Sequence, residues 1–333
     1  MTPAMNLDEQ KEKTAISGPC VDICLDCGTA ISVARRDYFD TRFGHSGFYG
    51  IARCGACSLE QTLPRPAERE LQALYETFYN FRGEKGTRYT QMRERFLLSV
   101  FYQLWLWLDG DISFHARKGT GRLLDVGCNE GRGLKLYRNN GFSAEGLEFN
   151  ENAARVARAS GFTVHTVPLS AVAAQTYDRV VLSNVLEHSL DPAKMLADIR
   201  RLLKPRGQLW ISCPNSESWL RRLFGRFWIN WHVPFHIVHF SRASLRRQIE
   251  KAGLSVVEMK TQTPALWLVQ SFLSRWHARH GHPTRELRSV ARVVPLLLLT
   301  RLLLFPIIWL GNALGRGDCW IVVAQNRNPP EEN

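Results

Sequence analysis

The chain has 333 residues, 45% of them hydrophobic, 22% charged and a formal net charge of +12. That length suits one catalytic domain with an accessory module. Residues 1–16 are polar and charged and contain no apolar run of the secretory kind, which points to a cytoplasmic protein. The positive balance draws anionic partners (nucleic acid, an anionic lipid surface or a phosphorylated substrate) without choosing among them.

After a polar tail over residues 1–19, two Cys-x-x-Cys pairs, Cys24/Cys27 and Cys54/Cys57, are separated by the 26 residues 28–53. A two-residue gap lets both thiolates reach one tetrahedral ion, and four sulfur ligands suit a closed, structural Zn2+ site rather than a catalytic one. Gly28 and Gly55 are the residues expected to permit the tight turns, and residues 39–51 supply aromatic and β-branched side chains for a strand hairpin. Cys20 is a spare. Two disulfides are the rival reading, disfavoured in a chain without a secretory signal. We therefore expect a zinc ribbon over 20–66. A helical cap or linker over 67–118 follows, with a tyrosine-bearing helix at 71–79. Residues 82–90 are charged and Gly-rich, as a mobile cover would be, and residues 91–115 are apolar at helical spacing.

The core is expected over 119–262. Leu123, Leu124 and Val126 make the apolar run of a buried parallel strand. The strand leads through Asp125, Gly127, Asn129 and Gly131 into a helix, a geometry in which glycine lets the backbone approach a ligand and the helix start offers free N–H groups. Glu148 ends a second strand about 20 residues later, where dinucleotide-type folds place a ribose-binding acid.

This order of motifs resembles the class I S-adenosylmethionine (SAM) methyltransferases. Their first motif commonly has glycine where this chain has Asn129, a residue that tolerates left-handed backbone. Residues 177–188 resemble the family's fourth strand and its Leu-Glu-His segment. Asp191-Pro192 opens a helix, 202–207 resemble a Lys-Pro-Gly turn, and 208–215 the fifth strand. Residues 244–253 read as a helix ending on a glycine, with 256–259 and 319–324 as strands six and seven. The implied fold is α/β, a Rossmann-like seven-stranded methyltransferase sheet with an N-terminal four-cysteine zinc ribbon and a hydrophobic helical insertion (263–316) before the last strand (317–327) and a short tail (328–333). The resemblance implies that Asp125, Gly127, Asn129, Gly131, Glu148 and Asn184 hold SAM, with Pro168 beside Leu169 as an apolar adenine wall. The ribbon-plus-SAM arrangement is also similar to that of bacterial methyltransferases associated with sugar, polysaccharide or secondary-metabolite modification; some sugar C-methyltransferases carry a related zinc module.

Methyl transfer is an in-line displacement, and a hydroxyl or acidic-carbon acceptor also needs a base. His236 and then His188 are the candidates, with His232 and His239 nearby in a segment that resembles a Pro-Arg-His-x-x-His-Phe-Ser loop lining the acceptor pocket. Phe235 stands in place of that arginine, which removes an anion contact and makes the pocket more apolar. In ubiquinone-type O-methyltransferases an acid-rich version of the Leu-Glu-His segment is implicated in metal binding. Asn184 occupies the place of the first acid, which counts against a divalent metal here.

Residues 293–310 are almost continuously apolar. Their length is marginal for a membrane span, Arg301 is costly at its centre, and Pro295 and Pro306 are expected to break the helix. A single crossing would also leave strand seven on the wrong side of the bilayer. The segment is then packed on the core, buried between copies in a homodimer, or laid in a bilayer surface. Residues 219–228 are basic and aromatic, as interfacial helices are, which suggests peripheral contact with the inner face of the membrane. The expected function is SAM-dependent methylation of a hydroxyl or carbon on a sugar, glycolipid or lipid-like intermediate, a small-molecule or lipid-linked acceptor. The alternatives are an RNA methyltransferase, supported by charge and ribbon but lacking an Asn-Pro-Pro-Tyr-type motif after strand four, and a non-catalytic scaffold.

Overall fold

The computed structural model describes residues 16–79 and 95–326; the expectations for 1–15, 82–90 and 328–333 lie outside the described residues. At the N-terminus, β1 (Ile16–Ile23) pairs antiparallel with β2 (Ala30–Arg36). Next come β3 (Tyr38–Phe39), β4 (Phe48–Arg53) and β5 (Glu60–Leu63), also antiparallel. Each of the two cysteine pairs sits on a tight turn. In the first, Gly28 N donates to Cys24 O at 2.9 Å, and in the second Ser58 N donates to Cys54 O at 2.9 Å. The left-handed residues are Gly28 (φ 71) and Ser58 (φ 61). Gly55 does not take the role expected of it, because the turn needs its left-handed residue one place after the second cysteine.

Helices α1 (Glu68–Phe78) and α2 (Phe101–Asp109) lead to the sheet. The core then runs β6 (Arg122–Val126), α3 (Arg132–Asn139), β7 (Ser143–Leu147), α4 (Glu151–Ala159), β8 (Val164–His165) and β9 (Tyr177–Ser183). It continues with α5 (Pro192–Leu202), β10 (Leu203–Pro214), α6 (Trp219–Phe224), β11 (Val238–His239), α7 (Arg242–Lys251) and β12 (Leu254–Gln262). Helices α8 (Ala265–His277) and α9 (Val290–Ala313) precede the last strand, β13 (Cys319–Asn326). The seven-stranded sheet has the order β12-β13-β10-β9-β6-β7-β8, and only β13 runs against its neighbours. Strands buried on both faces need continuous apolar runs, and Val180, Val181 and Leu182 of β9 are fully buried. Asp191 caps α5 by accepting from Lys194 N at 2.9 Å. Residues 203–207 are extended rather than a turn: the register against β9 jumps from Leu203↔Tyr177 to Gln208↔Arg179, and Arg206 absorbs the excess at φ 61.

The N-terminal strands do not stand apart. The short strand β11, from the loop after β10, joins β5 to make the sheet β11-β5-β4-β3. Cys24, Ile31, Cys54, Leu59 and Leu63 share one buried cluster with the central strands. Asp26 on the first cysteine turn is buried and meets Arg247 and Lys251 of α7, each at 2.7 Å. The Arg247 guanidinium also donates to Cys57 O at 2.8 Å, so both cysteine turns are tied to α7.

Helix α9 is continuous over 24 residues although it contains Pro295 and Pro306. A proline removes one hydrogen bond and bends a helix, and the turns on either side stay helical here. By length and composition alone α9 is apolar enough to cross a membrane. One strip, with Val293, Thr300, Ile308 and Gly311, is buried. Arg301 lies in that packed side, 3.8 Å from Asp109. Leu299, Leu302, Leu303, Ile307, Trp309 and Leu310 are exposed.

Burial raises the carboxyl pKa of Asp26, but the bonds from Lys251 and Arg247 outweigh it and the net value is lowered. A lowered folded value means that the stabilisation is present above the ordinary 3.8 and disappears as pH falls through the folded value. Asp26→Asn should therefore cost about 1–3 kcal/mol at pH 7, measured by urea denaturation, and the gap to the wild type should begin to narrow only below about pH 4.

Candidate active site

A cleft of about 2070 Å³ opens beside the carboxyl ends of β6, β7 and β9, where ligands bind in open α/β sheets. Its wall includes Gly127, Asn129, Glu148, Pro168 and Asn184 at one end and His188, His232 and His236 at the other. The glycine loop makes three left-handed steps, Gly127 (φ 74), Asn129 (φ 52) and Gly131 (φ 77). Asn129 thus adopts the backbone that the family's glycine would take, and its side chain accepts from Glu130 N at 2.8 Å. A Cβ on Gly127 would meet Val185 at 2.9 Å. Glu148 accepts from Asn129 N and Asn150 N, each at 2.9 Å, which holds its carboxylate at the wall and ties the two loops together. Asp125 and Gly131 lie behind the wall. Burial, and then the charge of Glu148, push Asp125 up to about 7. Gly131 packs under α4, where a Cβ would meet Ala157 at 2.8 Å.

The histidines collect on two loops that follow parallel strands. His188 sits on a single helical turn after β9; its Nδ1 is 2.9 Å from Phe235 O and 2.7 Å from the Tyr75 hydroxyl. His236 Nδ1 lies 2.7 Å from Asn230 O, so this nitrogen carries the proton and donates, leaving the Nε2 lone pair free. His232 Nε2 is 2.8 Å from the Tyr79 hydroxyl. Ring centroids of His188 and His236 are 4.6 Å apart, and those of His232 and His236 5.0 Å. His239 is elsewhere: its Nε2 is 2.9 Å from Thr62 Oγ1 and its ring meets the edge of Trp231.

Burial pushes His188 down to about 4 and His232 and His236 well below the ordinary value. The Arg42 guanidinium and the neighbouring rings add to the effect. Neutral imidazoles are the form a general base needs. Glu187, 1% exposed, lies beside them with His236 Nε2 4.0 Å from its Oε1. Neither of its oxygens has a hydrogen-bond partner, and burial pushes it up to about 8. An unpaired carboxylate at that depth is costly. A proton or a cation would relieve it, and ligand atoms of Glu187, His188 and His236 lie within 4.8 Å of one another. Two imidazoles and a carboxylate form a common divalent-metal set. In this chain the third ligand position is offered by His236 from the later loop, rather than by the place that Asn184 occupies.

At the N-terminus the sulfurs of Cys24, Cys27, Cys54 and Cys57 also lie within 4.8 Å of one another, with Cys20 outside the group. Sequence reasoning did not assign Glu187, Tyr75, Tyr79 or Arg42, all of which border the histidines. The local signals were the Leu-Glu-His segment, which contains Glu187, and the four-residue spacing of Tyr75 and Tyr79, which puts both on one side of α1 and its end.

A raised carboxyl stays protonated in the fold at pH values where the unfolded chain has released its proton, so Glu187 costs stability progressively as pH rises from about 4.5 toward 8. Glu187→Gln should match the wild type near pH 4.5 and exceed it by about 2–4 kcal/mol at pH 8 in urea denaturation. Parallel profiles would instead reveal a carboxylate already neutralised by a cation.

Residues 94–259 match a methyltransferase-domain family. The ubiquinone biosynthesis O-methyltransferase of Thiobacillus denitrificans is 29% identical over 43% of this chain and 68% of that protein. The enzyme of the same name from Burkholderia multivorans is 30% identical over 46% of this chain and 71% of that protein. Among solved structures, a SAM-dependent methyltransferase from Mesorhizobium loti has 17% identity and a TM-score of 0.42, covering 66% of this chain and 99% of that one. On the family match and the two sequence relatives, together with the seven-stranded sheet and its glycine loop, the chain belongs to the class I SAM-dependent methyltransferases.

Proposed function

We propose that the protein transfers the methyl group of SAM to a hydroxyl or acidic carbon of an amphiphilic small molecule: a sugar, glycolipid or lipid-like intermediate. The observation that carries this reading is the continuity of one cleft. It runs from the glycine loop and Glu148, past His188 and His236, to Leu266, Trp267 and the apolar side chains Val293, Val294, Leu297 and Leu298. A polar reacting end and an apolar far wall suit a substrate with the same two ends.

When bound, SAM supplies an electrophilic methyl on a sulfonium. Glu148 is placed to accept from ribose hydroxyls, with lone pairs remaining beyond its two backbone bonds. Gly127 lets the loop backbone form the wall where a Cβ would strike Val185, Asn129 and Asn184 offer polar atoms there, and Pro168 closes it with an apolar face. Asp125 and Gly131 shape the loop from behind. His236 Nε2 takes the acceptor proton, with Tyr75 and Phe235 O orienting His188 beside it. A second reading rests on the two unpartnered oxygens of Glu187: with His188 and His236 it holds a divalent cation that lowers the acceptor's pKa.

The four clustered sulfurs suit a structural Zn2+. The exposed apolar side chains of α9 share a helix with Gly311, at which Trp219 of α6 packs, and α6 carries the exposed Arg222. Apolar side chains beside cations suit an anionic bilayer surface. We place the protein in the cytoplasm, peripheral on the inner face of the membrane; a homodimer covering α9 is the competing arrangement.

Calorimetric titration with SAM and S-adenosylhomocysteine should show binding of both, weakened at least ~10-fold in Glu148→Ala. His236→Ala should keep that binding and lose about 10²–10⁴ in methyl transfer. Full activity of the variant would reject the base. Sedimentation with phosphatidylglycerol vesicles should deplete the wild type and not Leu302→Asp/Leu303→Asp. A dimer that ignores vesicles would reject the membrane contact.

A further inference from the structure

The replacement of the loop arginine by Phe235 leaves the acceptor pocket without the expected cation, yet the fold brings one in from the N-terminal module. Arg42 follows β3 and lines the cleft together with His188, His232 and His236. One guanidinium nitrogen donates to Ile229 O at 3.0 Å, and the Nε, fully screened from solvent, has no partner. No carboxylate lies within 4.0 Å of Arg42 among the described residues. Asp40, two positions earlier, instead accepts from the backbone N–H groups of Arg42, Phe43 and His45 at 2.8–3.2 Å. Phe43, the next residue in the chain, packs edge-on against Phe235 at 5.4 Å, so the segment that carries Arg42 meets the side chain that stands in place of the arginine. Exposed Arg288 lies over the Phe43 ring at 5.7 Å and also borders the cleft.

Asp40 is near enough to act on Arg42 through space but makes no ion pair with it, and a screened guanidinium without a paired anion is unfavourable unless a ligand supplies one. The guanidinium presents a planar fork that matches carboxylate and phosphate oxygens. We propose that Arg42, assisted by Arg288 at the rim, binds an anionic group of the acceptor, a phosphate or a carboxylate, and thereby restricts the enzyme to acidic amphiphiles. This specificity rests on the methyl-transfer reading of the same cleft.

The test is calorimetry on the full chain saturated with S-adenosylhomocysteine, using octyl phosphate, octanoate and the neutral octyl glucoside. The wild type should bind one of the anions at least tenfold more tightly than the neutral probe. Preference for octyl phosphate identifies a phosphorylated acceptor, and preference for octanoate a carboxylic acid. Arg42→Gln should abolish the preference, and Arg288→Gln should reduce it. Arg42→Lys, which retains charge without the fork, should weaken the preferred anion at least fivefold and serves if the Gln variant does not fold. Equal binding of charged and neutral probes by the wild type, or an unchanged preference in Arg42→Gln or Arg42→Lys, overturns the proposal. S-adenosylhomocysteine affinity is measured in the same samples and should be unchanged in the variants. Its absence in the wild type would defeat the methyl-transfer reading, whereas the anion preference reports on the two arginines.

Discussion

The pairing of β5 with β11 is the constraint on which the pocket depends. Val238 and His239 register against Gln61 and Glu60, Thr62 N donates to Ile237 O at 3.0 Å, and the Thr62 hydroxyl donates to His236 O at 2.7 Å. A loop of this length would otherwise carry many unpaired backbone groups, which cannot be buried. Seated on the N-terminal sheet, the loop can hold His232 and His236 in the interior with fixed orientations. The cysteine module therefore contributes Arg42 and Phe43 to the cleft wall, and it is held to the core by this ladder, by the Asp26 ion pairs with α7 and by the Arg42–Ile229 bond.

The same enclosure sets the electrostatics. Three neutral imidazoles, a carboxyl pushed up to about 8 and one guanidinium share a space from which water is largely removed. In such a medium each charge has a strong effect on the next. Arg42 favours the neutral form of the histidines, which is the form that accepts a proton. An anion brought in by a substrate would oppose Arg42 and raise the basicity of His188 and His236 when the acceptor is in place. Tyr75 of α1 and Tyr79 at its end contribute hydroxyls that meet His188 and His232.

Helix α9 shows how an apolar run can serve two surroundings at once. Its inner strip carries Arg301 toward Asp109, whose carboxyl also accepts from Ala265 N at 2.8 Å at the start of α8. Its outer side exposes Leu299, Leu302, Leu303, Ile307, Trp309 and Leu310, and grouped exposed apolar side chains mark contact sites. Val293 of that inner strip, with Val294, Leu297 and Leu298 beside it, also lines the far wall of the cleft, so the start of one element borders both the cleft and the apolar exterior.

Much of the architecture was legible in the sequence because it is written locally. Apolar runs such as Leu123-Leu124 and Val180–Leu182 specify buried strands, the Asp191-Pro192 pair specifies a helix start, and two Cys-x-x-Cys pairs specify thiolates that can converge. The left-handed step at Asn129 follows from the residue type itself. Contacts between distant segments have no such local signature. Tyr75 reaches His188 across 113 positions, Tyr79 reaches His232 across 153, and Arg42 reaches Ile229 across 187. The helical run through Pro295 and Pro306 and the extended start of β10 were likewise set by neighbours, since packing outweighs local preference at single residues. Local pattern was thus enough for the sheet, the glycine loop and the cysteine set. Which side chains share the buried pocket was settled only in the folded chain, because that depends on closing β5 onto β11 and on no pattern within either segment.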